Sequence, residues 1–456
     1  MGYSKKSKKS AGALLGVGTY GCAFSPPINC TNSSDHSKAV VGKVVGDNEE
    51  AFDEHFLSKH IAKIDNKHKY TNPSIGICDV STQQVIAMNP ASKDYCKHAW
   101  RNLHKQLLYP HKGVSLLKST IDLFQRETFP ALIHLAKGID LLARNHMTHM
   151  DLKQDNVIVM SDVDTRLDIT TNIRLIMIDF GLSRSTDTVF SDENGVVSAN
   201  YFVFPPEFQI YSFFADVNKD KKLKYLLDDF DKMKQMMKDH TCTQVKKSIQ
   251  IFEGMLPDVG ITWAGMKNEL VNFIDRVFSS PMSIEQLETT MKPFGHKVDV
   301  WSFGVIMLEC LIKNSELFAD KPASPFIMKC SNIISRCLSS DPQYRYSTTA
   351  LVHALLDAFK LIDVEKIVRS DIPKIQPPPT PQSVKKQTSY KSPQKTRSTA
   401  PVYVSPNTTS YKSPSPIIRS PQSPPSDLSS SYMSISKSPM SIGGKTKNKK
   451  KTKSSK

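Results

Sequence analysis

The segment His146–Val159 reads HMTHMDLKQDNVIV and includes an acid, a lysine and an asparagine within six residues. Asp151, Lys153 and Asn156 stand directly before the β-branched run VIVM. A carboxylate can orient a hydroxyl, an ammonium can neutralise an anion, and an amide oxygen can bind a divalent cation. The segment therefore predicts a catalytic loop that leads into a buried strand.

The elements on either side of this loop support the same interpretation. From Thr128 to His146, apolar residues recur at helical spacing and predict a long core helix that leads into the loop. Downstream, the runs VIVM and IRLIMI predict two short strands, and the second ends at Asp179-Phe180-Gly181. A second carboxylate, that of Asp179, is thus expected close to Asp151.

A glycine-rich segment, GVGTYG, lies near the start of the chain between two short β-type runs. Glycines permit a tight hairpin and let backbone N–H groups approach phosphates closely. GxGxxG also opens dinucleotide-binding folds, but here a strand with a lysine follows and not a helix. The candidate nucleotide contacts in this segment are Gly16, Val17, Gly18, Gly21 and Ala23.

Lys43 lies in KAVVGKVV, a β-branched run that predicts a buried strand. The following residues, 47–65, predict a helix that starts with a capping box of Asp47 and Glu50. Glu54 lies on the packing face of this helix and is the first choice as carboxylate partner of Lys43, with Glu50 as the alternative. Lys43 and Glu54 are therefore candidate nucleotide-binding residues.

These residues together fit phosphoryl transfer from ATP, which requires held phosphates, Mg²⁺ and a hydroxyl aimed in line. Asp151 would orient the hydroxyl or accept its proton, and Lys153 would neutralise the γ-phosphate. Asn156 and Asp179 would hold Mg²⁺ between phosphate oxygens. ATP and Mg²⁺ are the predicted cofactors.

The order of these motifs resembles that of eukaryotic-type serine/threonine protein kinases over about residues 11–365. The resemblance implies an α+β, bilobal fold with a small β-rich N-lobe and a larger helical C-lobe. FPPEF would end the activation segment, with Glu207 paired to Arg345, and Asp299 of DVWSFG would bond the catalytic-loop backbone. It also implies protein substrates with serine or threonine acceptors.

A narrower resemblance rests on the segment YFVFPPEF, the insertion that follows it and the basic tail. These features are similar to those of kinases encoded by large nucleocytoplasmic DNA viruses, which implies a location in host cytoplasm or virion.

The predicted organisation is a basic arm (1–10), a kinase domain (11–368) and a tail (369–456). Within the kinase domain, the N-lobe covers about 11–112, the C-lobe about 113–368 and a helical insertion about 210–292.

Charge and composition separate the tail from the rest of the chain. The net charge is +16, and residues 376–456 hold fifteen Lys and Arg against one acid, which leaves residues 11–375 nearly neutral. The tail is rich in Pro, Ser, Thr and Lys and cannot bury enough apolar surface to fold, so we expect disorder. Its terminal KTKNKKKTKSSK predicts binding to nucleic acid or another polyanion, or merely a solubilising role.

The eight cysteines show no CxxC and no zinc-type spacing, which predicts scattered thiols in a reducing compartment. No apolar run approaches the ~20 residues of a membrane span, and the N-terminus lacks the apolar segment of a signal peptide. The sequence therefore predicts an intracellular, soluble protein, taken to be a monomer.

Three residues depart from the pattern of the resembled family. Gly42 replaces a branched apolar residue before the lysine, which predicts a locally loosened strand. Asn200 replaces a threonine, so the expected serine/threonine specificity rests mainly on Lys153.

Met150 replaces an arginine that would pair with phosphate, and methionine can only pack. Activity without activation-loop phosphate is therefore predicted, even with alanine at Ser183, Ser185, Thr186, Thr188 and Ser191.

Two other function classes stay open from the sequence alone. A pseudokinase or scaffold would bind nucleotide and polyanionic partners, but such proteins usually lose one of the catalytic residues, and all are present here. A small-molecule phosphotransferase would share the catalytic loop but generally lacks the FPPEF, DVWSFG and late-arginine elements. The substrate, its consensus sequence and the purpose of the insertion do not follow from the sequence.

Overall fold

The computed structural model of the 456-residue chain describes most of its first 370 residues. The described ranges are 13–17, 21–31, 38–46, 48–88, 103–164, 169–191, 202–219, 224–313 and 324–370. The predicted basic arm lies outside these ranges, as do the predicted tail from residue 371 onward, Gly18, Asp47 and Asn200, whereas residues 369 and 370 belong to the last described helix.

The N-terminal part is built on a five-stranded antiparallel sheet with strand order β1-β2-β3-β5-β4. Two helices accompany it, and the first connects β3 to β4 along the chain. The elements are β1 (Ala13–Val17), β2 (Gly21–Ser25), β3 (Val41–Val45), α1 (Asn48–Ile64), β4 (Gly76–Ser81), α2 (Thr82–Met88) and β5 (Leu103–Tyr109). The hairpin predicted around the glycine segment is thus present as β1 and β2.

The strand β3 is regular at Gly42, contrary to the expected loosening. Gly42 pairs with Phe24 of β2 and with Leu108 of β5 without a register shift. A Cβ at Gly42 would lie 2.2 Å from Oε1 of Gln106, whose buried side chain fills that space. The Gln106 amide accepts from the N–H of Ile28 at 2.9 Å and donates to its carbonyl oxygen at 2.8 Å. The missing side chain is therefore compensated by a neighbouring one.

The C-terminal part is mainly helical and includes two small sheets, of order β6-β8-β9 and β7-β10. Its strands are β6 (Val114–Ser115), β7 (Met147–Thr148), β8 (Val157–Asp164), β9 (Ile169–Met177) and β10 (Arg184–Ser185). Its helices are α3 (Pro130–Arg144), α4 (Pro206–Lys219), α5 (Phe230–Ile249), α6 (Trp263–Val277), α7 (Ile284–Met291), α8 (Val298–Lys313), α9 (Pro325–Cys337) and α10 (Thr348–Ser370). The predicted architecture of a β-rich lobe followed by a larger helical lobe is confirmed.

The core of the helical lobe is formed by apolar faces of α3, α8, α9 and α10. Helix α8 is buried almost all round, as its continuous apolar sequence predicts, and Trp301 and Phe303 are among its fully enclosed side chains. Helix α3 begins with Pro130, which lacks the N–H that a first-turn residue could not use within the helix. This arrangement fixes the loop that follows α3.

The region predicted as a helical insertion contains α4 to α7, and several of its apolar side chains are buried. Leu226, Met233 and Met237 are buried in one hydrophobic cluster, while Leu223 lies outside the described residues. The same cluster includes Met150 of the catalytic loop and Phe190. The insertion and the catalytic loop therefore share a core.

Among the described residues, the expectation that the cysteines are free thiols is wrong for three. Cys30 and Cys78 form a disulfide, and Cys22 is disulfide-bonded as well. Cys78 lies on β4 and Cys30 follows β2, so the sheet brings together residues 48 positions apart. Sequence spacing gave no sign of this pairing. Four further cysteines are free and buried: Cys242, Cys310, Cys330 and Cys337.

Within the described part of the chain, no helix combines the length and apolar character needed to span a membrane.

Candidate active site

Lys43 lies at the centre of a partly buried ionic cluster. Its Nζ is 2.8 Å from Oε2 of Glu54 on α1 and 2.8 Å from Oδ1 of Asp179, which follows β9. Glu50, the alternative partner, is exposed on the first turn of α1. The helix face that carries Glu54 also carries buried Ile61, so packing of α1 sets the position of the carboxylate. The cluster joins the sheet, α1 and the segment after β9.

The electrostatics of this cluster keep the ammonium charged. Burial alone would lower the pKa of Lys43, but the Glu54 and Asp179 carboxylates raise it well above its usual value. Burial acts to raise the pKa of Asp179, yet the Lys43 charge and hydrogen bond outweigh it and hold that pKa below the usual value. For Glu54, burial and the nearby Asp179 charge raise the pKa despite Lys43. Lys43 and Asp179 are therefore an ion pair poised to receive anionic and cationic ligands, respectively.

Tyr109 is a member of this cluster that motif reasoning missed. Its buried hydroxyl donates a hydrogen bond to Oε1 of Glu54 at 2.5 Å. Burial, and then the Glu54 charge, raise the pKa of Tyr109 well above its usual value, so the phenol remains a donor. The apolar end of β5 predicts that residue 109 is buried, but no sequence signal predicts its contact with Glu54. Tyr109 and Lys43 thus hold the two oxygens of one carboxylate.

Replacing Tyr109 by phenylalanine removes this hydrogen bond and keeps the ring. A hydrogen bond to a charged group contributes about 1.5–3 kcal/mol. Here the hydrogen bond also holds the Glu54 carboxylate in position beside Lys43. We expect phosphate transfer at low ATP concentration to fall about fivefold or more, measured as kcat/KM for ATP. Tyr344→Phe, at an exposed tyrosine, is the matched control. Equal kcat/KM values for Tyr109→Phe and wild type would contradict the positioning role.

The catalytic-loop residues are brought together as their spacing predicts. Asn156 Nδ2 donates to Oδ2 of Asp151 at 2.7 Å and to its backbone oxygen at 2.9 Å. Lys153 Nζ lies 3.1 Å from each carboxylate oxygen of Asp151. Residues 154–156 form a 3-10 turn that carries Asn156 back toward Asp151. Asn156 and Lys153 therefore fix the orientation of the Asp151 carboxylate, and Lys153 places a positive charge beside it.

The backbone before Asp151 is held by a carboxylate from α8. Asp299 accepts hydrogen bonds from the N–H groups of His149 (2.7 Å) and Met150 (3.1 Å), as the family resemblance implies. Met150 adopts a φ of 68° and Asp179 a φ of 64°, both in the left-handed region that is uncommon for non-glycine residues. Such conformations persist only where surrounding contacts enforce them. For Met150, Asp299 supplies two such contacts, one to its own N–H and one to that of the preceding His149.

Glu207 and Arg345 form a fully buried, bidentate ion pair. Nη1 of Arg345 lies 2.6 Å from Oε1 of Glu207, and Nη2 lies 3.1 Å from Oε2. Neither side chain is exposed to solvent. Arg345 also donates to the backbone oxygen of Ser339 at 2.9 Å. The pair ties the start of α4 to the segment before α10.

The predicted nucleotide contacts in the glycine segment fall on β1 and β2. A Cβ on Gly21 would lie 2.1 Å from the backbone oxygen of Val44, so Gly21 is needed for close packing of β2 on β3. Around Gly16 no atom would lie within 4 Å of a Cβ, which leaves the backbone approachable. Val17 is exposed at the end of β1, and Ala23 pairs with Lys43 across the two strands. Gly18 lies outside the described residues.

The donor atoms near Asp179 suit a hard cation. Because Nδ2 of Asn156 is used by Asp151, its carbonyl oxygen is the atom left to ligate a metal. Asp179 contributes a carboxylate that is about one-third exposed. In the described ranges, no three His, Cys, Asp or Glu side chains cluster as a metal cage would require. A carboxylate and an amide oxygen fit Mg²⁺, which usually relies on few protein ligands plus phosphate and water.

Met150, which replaces the arginine of the resembled family, packs among apolar side chains. It is 1% exposed and belongs to a buried cluster with Val189, Phe190, Phe204 and Phe208. Val189 and Phe190 precede, and Phe204 and Phe208 follow, the stretch 192–201 that lies outside the described ranges. The chain is therefore held by apolar contacts on both sides of residues 192–201.

The structure reduces from five to three the positions at which alanine tests activity without phosphate on the activation loop. Ser183 and Thr186 are buried, and the Ser183 hydroxyl donates to the backbone oxygen of His149, so alanine there would also disturb packing. Ser185, Thr188 and Ser191 are more accessible. We expect alanine at these three positions together to retain most phosphotransfer activity, measured as kcat on a peptide. A hundredfold loss would contradict the hypothesis.

Residues 10–217 match a family model described as protein tyrosine and serine/threonine kinase. The matched segment runs from β1 through α4 and includes the candidate residues of the glycine segment, Lys43, Glu54, the catalytic loop and Asp179. Asp299 and Arg345 lie beyond it. A search of curated proteins found no significant match. The family description covers both acceptor types, so serine/threonine specificity and viral origin stay predictions.

Proposed function

We propose that the protein is a serine/threonine protein kinase that transfers the γ-phosphoryl group of Mg-ATP to hydroxyls of protein substrates. The observation that carries the proposal is the Lys43 cluster: one ammonium lies 2.8 Å from both Glu54 and Asp179. This cluster forms only when α1, β3 and the segment after β9 lie next to one another. A kinase-type domain with this arrangement is assembled for phosphoryl transfer, which depends mainly on positioning and charge.

Each residue has a defined task in this proposal. Asp151 accepts a hydrogen bond from the substrate hydroxyl and takes its proton as the oxygen attacks. Lys153, 3.1 Å from Asp151, stabilises negative charge that develops beside that carboxylate. Lys43 binds phosphate oxygens while Glu54 and Tyr109 hold it in place. Asn156 and Asp179 would hold Mg²⁺, which supplies charge neutralisation between the phosphates when it is bound.

Specific contacts favour this function over the two alternatives. A scaffold has no need to keep Asp151 oriented by both Asn156 and Lys153. A small-molecule phosphotransferase has no need for the buried Glu207–Arg345 pair that fixes the end of the activation segment. The proximity of Lys153 to Asp151 supports serine/threonine acceptors.

The direct test is transfer of labelled phosphate from Mg-ATP by the purified full-length chain to a panel of basic and acidic proteins. Phosphoamino-acid analysis identifies the acceptor. We expect phosphoserine or phosphothreonine, no transfer when Mg²⁺ is chelated, and recovery when it is restored. Phosphotyrosine as the sole product would overturn the specificity, and bound ATP without any transfer would favour the scaffold.

The basic tail is part of the proposal as a tether to polyanions. It carries fifteen Lys and Arg within residues 376–456. Deleting these residues is expected to leave kcat on a short peptide unchanged and to weaken salt-sensitive binding to single-stranded DNA or RNA. Counterion release predicts that the slope of log affinity against log salt becomes shallower in the truncated chain. Identical binding by both chains would exclude the tether.

A further inference from the structure

The outer face of α1 combines exposed aromatic residues with lysines. The inner face packs Glu54 and Ile61 into the lobe, whereas Phe52 and Phe56 are 51% and 72% exposed. Phe52 and Phe56 are four positions apart, and Lys59 and Lys63 continue the same helical stripe toward the end of α1. A single exposed phenylalanine is unremarkable, but two on one stripe beside a cavity mark a contact surface.

The cavity lies between the second half of α1 and the segment that leads to β4. It has a volume of about 420 Å³ and is lined by Phe56, Lys59, His60, Lys63, His68 and Ile75, among others. Ile75, on the far wall, is 42% exposed. The cavity therefore has an apolar wall on each side and a basic rim, which suits one bulky apolar side chain with anionic neighbours.

The charge around the cavity is predominantly positive. Residues 59–69 contain four lysines, two histidines and a single acid, Asp65. Asp65 is buried and its carboxylate accepts hydrogen bonds from the N–H groups of Lys69, Tyr70 and Thr71 and from the Thr71 hydroxyl. Its charge is thus directed into the loop. The acids Glu49 and Glu50 lie in the first turn of α1, at its opposite end, and Asp53 lies one turn before Phe56.

We propose that this surface, defined by Phe56, Lys59, His60, Lys63, His68 and Ile75, docks an acidic peptide segment of a partner protein through one bulky apolar side chain. Charge complementarity identifies the occupant, since lysines flank an apolar cavity and attract glutamate or aspartate beside the anchor. The chain's own tail is strongly basic and would be repelled by the same lysines. A nucleic acid would meet the lysines but leave the apolar walls without an aliphatic or aromatic side chain between them. The proposal concerns binding and does not depend on the proposed catalytic function.

The test is fluorescence anisotropy of a labelled peptide, with one central phenylalanine flanked on both sides by glutamates, titrated with the full-length protein. We expect binding that weakens with salt and that is lost when the peptide phenylalanine becomes alanine or its glutamates become lysines. Phe56→Ala, and separately Lys59→Glu combined with Lys63→Glu, should each weaken binding about tenfold or more, as removal of a central anchor does. All three residues are on the surface, and an unchanged melting temperature verifies that the variants fold.

The matched control is Met328→Ala combined with Lys329→Glu, a surface apolar residue and a neighbouring lysine on α9. This variant should bind the peptide like wild type. Retained binding in both α1 variants, with loss on deletion of residues 376–456, would assign the peptide to the tail and overturn the proposal. An oligonucleotide that binds more weakly to Phe56→Ala and displaces the peptide would reassign the surface to nucleic acid. A concentration-dependent dimer abolished by Phe56→Ala would reassign it to a second copy of the chain.

Discussion

Replacing Asp151 by asparagine is expected to reduce phosphate transfer about a thousandfold, with little change in ATP binding. Asparagine keeps the size of the side chain but cannot take the proton of the substrate hydroxyl, and proton transfer by a positioned group contributes about 10²–10⁴-fold. The change also removes the negative charge beside Lys153, which lies 3.1 Å away. The measurement is kcat on a peptide substrate identified from the protein panel, together with ATP affinity by calorimetry.

Asp187→Asn is the matched control, because Asp187 is an exposed acid on the activation segment at some distance along the chain from the catalytic loop. It should keep nearly wild-type activity. If Asp151→Asn retained activity within about tenfold of wild type, Asp151 would not be the proton acceptor. Loss of ATP binding in the same variant would indicate a structural defect, which a lowered melting temperature would reveal separately.

Breaking the buried pair between Glu207 and Arg345 is expected to destabilise the fold by about 3–5 kcal/mol. Either Glu207→Gln or Arg345→Met leaves its partner inside the protein, where an uncompensated charge is far more costly than in water. Neither side chain is exposed, so solvent cannot take over the lost contact. The measurement is the free energy of unfolding from denaturant titration followed by fluorescence.

Two comparisons make this prediction specific. The surface pair Lys360–Asp357 is largely exposed, and Lys360→Met should leave the unfolding midpoint unchanged. The double variant Glu207→Leu with Arg345→Met removes both charges and should recover part of the loss, since paired apolar residues can replace a buried ion pair. A loss below about 1 kcal/mol for either single variant would show that water reaches the pair.

The elements that depend on local pattern were predictable from sequence. Helix α3, the buried helix α8 and strand β3 follow from apolar periodicity, which reports the faces that a segment must bury. The contact of Lys43 with Glu54 was predictable because the α1 packing face identifies which of two nearby acids turns inward. The lobe architecture followed from the order of these elements.

The features that depend on pairing between distant strands were not predictable. Tyr109 reaches Glu54 across 55 positions, and the disulfide of Cys30 and Cys78 spans 48. Both distances are set by which strand lies next to which in the sheet, and periodicity within one segment carries no information about its neighbours. The same reason explains why Gly42 was wrongly expected to loosen β3, since its compensation lies on β5.

The contact between Gly42 and Gln106 makes these two positions epistatic. A side chain at 42 would collide with Gln106 at 2.2 Å, and a shorter residue at 106 would leave the backbone of Ile28 without its two amide hydrogen bonds. Each single change is therefore harmful for a different reason, and changing both residues removes the collision but not the loss of the two hydrogen bonds, so it costs less than the two single changes added together. Evolution of this sheet is thus expected to alter the two positions as a covarying pair, so that chains with a branched residue at 42 carry a small or apolar residue at 106.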